Sequence, residues 1–208
     1  DEKLRKIFDF VAKDVRYMGV TNETEAPGYE PHDVNITFEK RYGVCRDKAA
    51  LLVALLRLAD IPAYMTLFYA GAPKDAEVPN NYFNHAIVAA QLPGRTDYVL
   101  MDPTDENSSD LLPAYGANKS YLVARSQGDT LRLSSEIDYR KNSVVINNKW
   151  QIDNDGNLNG ISEISFYGIN DNMYRDAFAN WNKEYTRQFF NVLFNRIFPG
   201  AEISSIVI

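Results

Sequence analysis

The stretch that most constrains this fold is residues 42–50, which place a glycine and the chain's single cysteine directly before a helical pattern. Apolar residues then recur every three or four positions until Pro62, which predicts a helix packed along one face: Ala49, Leu52, Leu55, Leu56 and Ala59. Cys45 falls in the first turn, where unpaired N–H groups favour a thiolate. Gly43 would let the backbone turn sharply and approach a ligand. Cys45 is either an activated nucleophile or a buried, inert thiol.

The composition narrows the classes of function. A chain of 208 residues, 45% hydrophobic and 24% charged, is typical of a globular protein with a real core. A net charge of -6 argues against nucleic acid as a partner. One cysteine permits no internal disulfide, and no apolar run approaches the roughly 18 residues of a membrane span. The strand-like run at 202–208 leads us to expect a fragment of a longer parent chain with further domains.

The segments around the cysteine helix predict mostly scaffold and loops. A helix is expected over residues 1–16, with one apolar face: Leu4, Ile7, Phe8, Val11 and Val15. Residues 19–41 are polar and proline-broken and are interpreted as a loop, in which His32 fits a solvated surface histidine better than a catalytic one. A strand is predicted over 63–70 and a second loop over 71–84.

Two strands after these loops give the strongest geometric prediction. His85 opens the apolar run 85–90, a turn follows at 92–97, and residues 98–102 return and end at Asp102. In a hairpin, Asp102 or a residue within about three positions of it faces His85, with Cβ atoms roughly 5 Å apart. A carboxylate would then orient the imidazole. A register change of one residue would instead put the two side chains on opposite faces.

The remaining sequence predicts a second unit. Short strands at 121–123 and 130–133 close the first one, so the domains are expected at 1–133 and 134–208. Strands at 144–152 and 158–166 are joined by an Asp-Gly turn; a calcium loop there is excluded because its anchor positions are Gln151 and Ser162. Aromatic residues at helical spacing over 174–197 predict one long amphipathic helix that packs on this β-rich unit.

The candidate chemistry combines three separated residues. A cysteine nucleophile needs a base, a group that orients the base, and donors for an oxyanion. Cys45, His85 and Asp102 would be the nucleophile, the base and the orienting group, in that order along the chain. The Cys45 backbone N–H is a natural oxyanion donor. A second donor is expected from Tyr17, with the residues at 42 and 84, a tyrosine and an asparagine, as alternatives. No metal or organic cofactor is required, and the three loops 19–41, 71–84 and 104–117 would wall the cleft.

The motifs that carry this chemistry resemble the transglutaminase-like superfamily, the papain-like cysteine hydrolase core. The resemblance rests on the sequence around Cys45, on Asn84-His85-Ala86-Ile87-Val88, and on Met101-Asp102-Pro103-Thr104, and it covers about residues 1–133. It implies an α+β fold in which a cysteine-bearing helix packs on an antiparallel sheet that carries histidine and aspartate. The closest branch is that of large exported bacterial proteins, in which such a core lies between β-rich domains. That branch often has an acidic residue where this chain has Val44.

The resemblance also implies a function. Thiol-dependent acyl chemistry on amide or peptide bonds is expected, as in a cysteine peptidase, an amidase or a protein-glutamine acyltransferase, with a protein or peptide substrate. The resemblance further implies an exported, periplasmic or cell-surface location. Two alternatives stay open: a catalytically inactive binding or assembly module that keeps the fold, and acyl transfer from a thioester donor, as in arylamine acetyltransferases.

Overall fold

The computed structural model describes residues 2–19, 28–78 and 80–208. Its contacts separate two compact units, residues 1–139 and 140–208. The sequence-based division into domains at 133/134 stays a prediction. No helix in the described ranges is long and apolar enough to cross a membrane.

Helices and short strands open the first unit. They are α1 (Glu2–Asp14), β1 (Arg16–Tyr17), α2 (Val34–Lys40) and β2 (Tyr42–Gly43), and β1 pairs with β2 in parallel. The apolar face predicted for α1 is confirmed, since Leu4, Phe8 and Val11 are buried. The loop predicted for residues 19–41 is wrong where α2 forms; residues 20–27 lie outside the described residues.

Local capping explains why α2 forms in a polar segment. The Asp33 carboxylate accepts the Asn35 backbone N–H at 2.8 Å and so satisfies a donor of the first turn. Arg41 ends the helix in a left-handed conformation with φ 58°, and its N–H is donated to the Thr37 carbonyl. The helix has only seven residues, too few to leave a clear apolar period in the sequence.

The core of the first unit lies between one helix and one sheet. Helix α3 (Cys45–Leu58) is followed by strands β3 (Ala63–Tyr69), β4 (His85–Ala90), β5 (Val99–Met101), β6 (Ser120–Val123) and β7 (Arg132–Leu133). These strands form an antiparallel sheet in the order β5-β4-β3-β6-β7. Helix α3 is buried on more than one face, because α1 and α2 pack against it in addition to the sheet. The α+β fold with a cysteine helix on an antiparallel sheet is therefore confirmed.

The second unit is a hairpin with two helices. Strands β8 (Val144–Ile152) and β9 (Leu158–Phe166) pair along their full length, and the Asp153 side chain accepts the N–H groups of Asp155 and Asn157 within the turn. Among the described residues no group of three or more His, Cys, Asp or Glu side chains could hold a metal ion.

The single long helix predicted for the second unit is two helices. Helix α4 (Ile169–Asn180) ends at Trp181, whose backbone is extended, and α5 (Lys183–Ile197) begins where the Asn182 side chain accepts the Tyr185 N–H at 2.9 Å. Part of the aromatic stripe packs on the hairpin as expected, since the Tyr174 ring meets that of Phe166 in β9 with centroids 4.1 Å apart. In α5 the buried positions are Thr186 and Phe190, whereas Tyr185 and Ile197 of the predicted stripe are exposed.

Candidate active site

The fold brings the three candidate catalytic residues to the ends of three neighbouring elements. Cys45 is the first residue of α3, His85 is the first residue of β4, and Asp102 directly follows β5. The register between β4 and β5 pairs residue 88 with 101 and 90 with 99. Continued outward, this register puts Asp102 diagonal to His85 on the same face of the sheet, which is within reach of a side-chain hydrogen bond.

Asp102 holds one nitrogen of the histidine. Its Oδ2 lies 2.7 Å from His85 Nε2, and the carboxylate is fully buried. Thr104 donates to Oδ1 through its backbone N–H at 3.0 Å and its hydroxyl at 2.6 Å, and the Tyr115 hydroxyl donates to Oδ2 at 3.1 Å. Burial raises the pKa of Asp102, but the hydrogen bond and charge of His85 and the hydrogen bonds from Thr104 lower it by more. The net pKa is below its usual value, so the group stays ionised.

His85 is set up to remain positively charged. Burial lowers its pKa, but the hydrogen bonds and charges of Asp102 and Cys45 outweigh that effect and raise it from 6.5 to about 10. The ring of Phe68, on the adjacent strand, meets the imidazole edge to face with centroids 6.1 Å apart. The imidazole is therefore fixed on one side by a carboxylate and on another by an aromatic ring.

Cys45 lies within hydrogen-bonding reach of the His85 imidazole. Burial raises the pKa of its thiol, but the hydrogen bond to His85, the charge of His85 and the backbone N–H groups of Ala86 and Arg46 together lower it below its usual value. The thiol is free and only partly buried. The arrangement favours a thiolate–imidazolium pair, and the partly exposed thiol is not sealed in the core; its reactivity stays a prediction.

Tyr17 lies beside this pair. Burial raises the pKa of its hydroxyl, and the negative charges of Cys45 and Asp102 raise it further, so the group is a neutral donor close to both. Its backbone N–H is donated to the Glu106 carboxylate. Of the alternative donors, Tyr42 is 43% exposed and the Asn84 side chain accepts the Ala70 N–H at 2.9 Å. The role of Tyr17 as oxyanion donor stays a prediction.

A second histidine–aspartate contact supports the start of α3. Asp47 Oδ1 accepts the His32 N–H at 3.0 Å and lies 3.0 Å from His32 Nδ1, while Oδ2 accepts the Val44 N–H at 3.1 Å. The interpretation of His32 as a solvated surface residue is therefore wrong, because its side chain is only 13% exposed. A Cβ on Gly43 would come within 2.7 Å of the Asp47 Cβ, so this packing requires a glycine. The role of Gly43 in the approach of a ligand stays a prediction.

Sequence reasoning missed several residues that shape the site. Lys48 is fully buried one turn after Cys45, donates to the carbonyl groups of Ala12 (3.1 Å) and Val15, and lies 4.0 Å from Glu106. Burial lowers its pKa to about 8, against the opposing charges of Glu106 and Asp102. Thr104 lies in the motif Met101-Asp102-Pro103-Thr104 and Lys48 lies in the stretch 42–50, but neither residue was predicted to support the site.

Comparison with known proteins finds one family match. The sequence profile of the transglutaminase-like superfamily matches residues 1–103. No curated protein matches the chain. A candidate cysteine protease from Cytophaga hutchinsonii is 21% identical over 78% of this chain and 41% of its own, with a TM-score of 0.38. A candidate protease from Parabacteroides distasonis is 19% identical over 64% of this chain and 24% of its own, with a TM-score of 0.46.

The chain thus spans less than half the length of either solved protein. The profile match covers α1 to β5 and includes Cys45, His85 and Asp102, the residues whose geometry is described above. Residues 1–103 of this chain therefore belong to the transglutaminase-like superfamily.

Proposed function

We propose that this protein performs thiol-dependent acyl chemistry on an amide or peptide bond, with Cys45 as nucleophile, His85 as general base and acid, and Asp102 as the group that orients His85. The observation that carries the proposal is the position of His85, which bonds to Asp102 through Nε2 and is thereby left with Nδ1 for Cys45. Its substrate would be a protein or a peptide.

The reaction follows from this geometry in two steps. The Cys45 thiolate attacks the carbonyl carbon, so a carbon–sulfur bond forms and the carbonyl oxygen takes the negative charge. The His85 imidazolium then gives its proton to the leaving nitrogen as the carbon–nitrogen bond breaks, which leaves a thioester. Water or an amine next attacks the thioester and gives a proton to His85, and the thiolate is released.

Two donors would stabilise the oxyanion of each step. The Cys45 backbone N–H lies in the first turn of α3, where it has no partner within the helix. The Tyr17 hydroxyl, kept protonated by burial and by neighbouring negative charge, would be the second. Loss of one such donor typically lowers kcat by about 100-fold or more.

The experiment compares wild type with Cys45→Ala on a library of peptides and glutamine-containing peptides. Release of new amino termini identifies peptide hydrolysis, release of ammonia without added amine identifies an amidase, and incorporation of an added amine identifies acyl transfer. Turnover in wild type that is absent in Cys45→Ala is the expected result.

The alternative of an inactive module is tested by the reactivity of the thiol itself. Activated Cys45 should react with iodoacetamide at pH 6 much faster than a free thiol, and His85→Ala should slow the reaction. Labelling no faster than that of a free thiol, together with no turnover, would contradict the proposal. Membership of a longer parent chain and an exported location remain predictions.

A further inference from the structure

An aromatic cage lies beside the strand end that carries His85. Three rings form it: Tyr69, the last residue of β3, with Tyr82 and Phe83 from the loop that leads into β4. The Lys74 Nζ of the same loop is 4.2 Å from the centroid of the Tyr69 ring, 5.6 Å from that of Tyr82 and 5.5 Å from that of Phe83. An ammonium group in this position is attracted by all three ring faces.

The walls of the cage are held by contacts that do not involve the lysine ammonium. Phe83 is buried, and its backbone N–H is donated to the Tyr29 hydroxyl at 3.2 Å. A Cβ on Gly71 would come within 2.7 Å of the Tyr69 ring, so the bare backbone there packs closely against the ring. The Tyr69 and Tyr82 rings also meet edge to face, with centroids 6.0 Å apart. The Tyr69 and Phe83 rings are therefore held independently of the Lys74 ammonium.

The lysine, in contrast, is anchored by its backbone and not by its charged end. Its N–H is donated to the buried Ser120 hydroxyl at 2.8 Å, which fixes the start of the side chain. Its ammonium donates to the Asn80 side chain at 3.3 Å, a long bond at an exposed site. Because four rotatable bonds separate the two ends, the ammonium can leave the cage without any movement of the backbone.

The cage lies at the same end of the sheet as His85. Phe68, which precedes Tyr69, pairs with His85 across β3 and β4, and Phe83 lies two residues before His85. We propose that the Tyr69, Tyr82 and Phe83 rings form a binding subsite for an alkylammonium group, such as the side chain of a lysine in a substrate, and that Lys74 fills it in the absence of substrate. This proposal rests on the proposed function only in taking the bound group to be part of a substrate. The binding itself needs no reactive thiol.

The experiment measures binding in the Cys45→Ala protein, so that its result is independent of catalysis. The probes are Nα-acetyl-lysine methylamide and its uncharged counterpart Nα-acetyl-norleucine methylamide, followed through the NMR signals of tyrosine and phenylalanine rings. Lys74→Ala empties the cage and should tighten binding of the lysine probe about tenfold, because the internal competitor is gone. Lys6→Ala, an exposed lysine of α1, is the matched control for the change of net charge and should leave binding unchanged.

A second substitution separates the cage from a general charge effect. Tyr82 is 60% exposed, so Tyr82→Leu removes one ring with little effect on the fold. The double variant Lys74→Ala/Tyr82→Leu should bind the lysine probe about threefold or more weakly than Lys74→Ala alone. Binding of the norleucine probe should be the same in both. Equal binding of the two probes by the Lys74→Ala protein would overturn the proposal, as would a gain of the same size in Lys6→Ala.

Discussion

Replacing Asp102 by asparagine is expected to remove the charge that keeps the His85 ring protonated. The pKa of His85 rises from 6.5 to about 10 in the folded chain, and at about 1.4 kcal/mol per unit this corresponds to roughly 5 kcal/mol in favour of the imidazolium. Burial alone acts in the opposite direction and lowers the pKa of His85. Without the carboxylate, only Cys45 opposes the effect of burial, so the pKa of His85 should fall and much less of the ring should be protonated at pH 6.

The consequence should appear in the reactivity of Cys45. The charged His85 lowers the pKa of the thiol against the effect of burial, so a neutral ring leaves the thiol protonated at pH 6. We expect Asp102→Asn to slow alkylation by iodoacetamide at pH 6 by at least about tenfold. A tenfold change corresponds to about 1.4 kcal/mol, less than one third of the roughly 5 kcal/mol that favours the imidazolium. The difference should shrink towards pH 9.5, where the thiol ionises without help.

The assay is the rate of Cys45 alkylation between pH 5 and 10, read by intact-mass spectrometry. Thr104→Val is the matched control, because it removes a hydrogen bond to the same carboxylate at 2.6 Å but keeps the charge. Circular dichroism and the thermal midpoint verify that each variant is folded. A folded Asp102→Asn protein that reacts at the wild-type rate at pH 6 would refute the coupling of carboxylate, imidazole and thiol.

Three further substitutions test individual contacts. Tyr115→Phe leaves the Asp102 carboxylate with one fewer donor, so its charge acts more strongly on the His85 imidazole. Alkylation of Cys45 at pH 6 should stay within about twofold of wild type, and the pH midpoint of alkylation should move down rather than up. Gly43→Ala forces a Cβ to within 2.7 Å of that of Asp47 and should lower the free energy of unfolding, measured by urea titration, by about 1–3 kcal/mol. Gly19→Ala, whose added Cβ meets no described atom within 4 Å, is the control and should not lower it. Lys48→Met leaves two carbonyl groups at the end of α1 without their buried donor and should cost about 1–3 kcal/mol; wild-type stability would contradict that role.

Much of the site was predictable because it is built from local patterns. The periodic apolar residues before Pro62 predict α3, and the turn at 92–97 between two apolar runs predicts the hairpin that brings Asp102 to His85. Both signals act over fewer than about 20 residues, where spacing fixes the direction of the chain and limits the register to a few positions. The hydrophobic face of α1 was predictable for the same reason.

The parts that were missed depend on contacts distant in sequence. Tyr115 approaches Asp102 only because the loop after β5 folds back over it, and Lys48 is buried because α1 ends above it. Because lysine is rarely fully buried, a lysine in a helical pattern is expected to place its ammonium group in solvent unless its buried partners are known. Helix α2 and the break before α5 were missed because both depend on local capping. Asp33 caps α2 within a polar segment, and Asn182 starts a new helix within a continuous periodic pattern.

The protonation state of His85 tests the central claim most directly. The chain has only two histidines, so a ¹⁵N-histidine-labelled sample gives two ring systems, and His32→Gln assigns them. At pH 8, above the ordinary pKa of 6.5 and below the value of about 10 in this fold, both His85 nitrogens should carry protons. A His85 ring with one unprotonated nitrogen at pH 8 would contradict the thiolate–imidazolium pair on which the proposed chemistry depends.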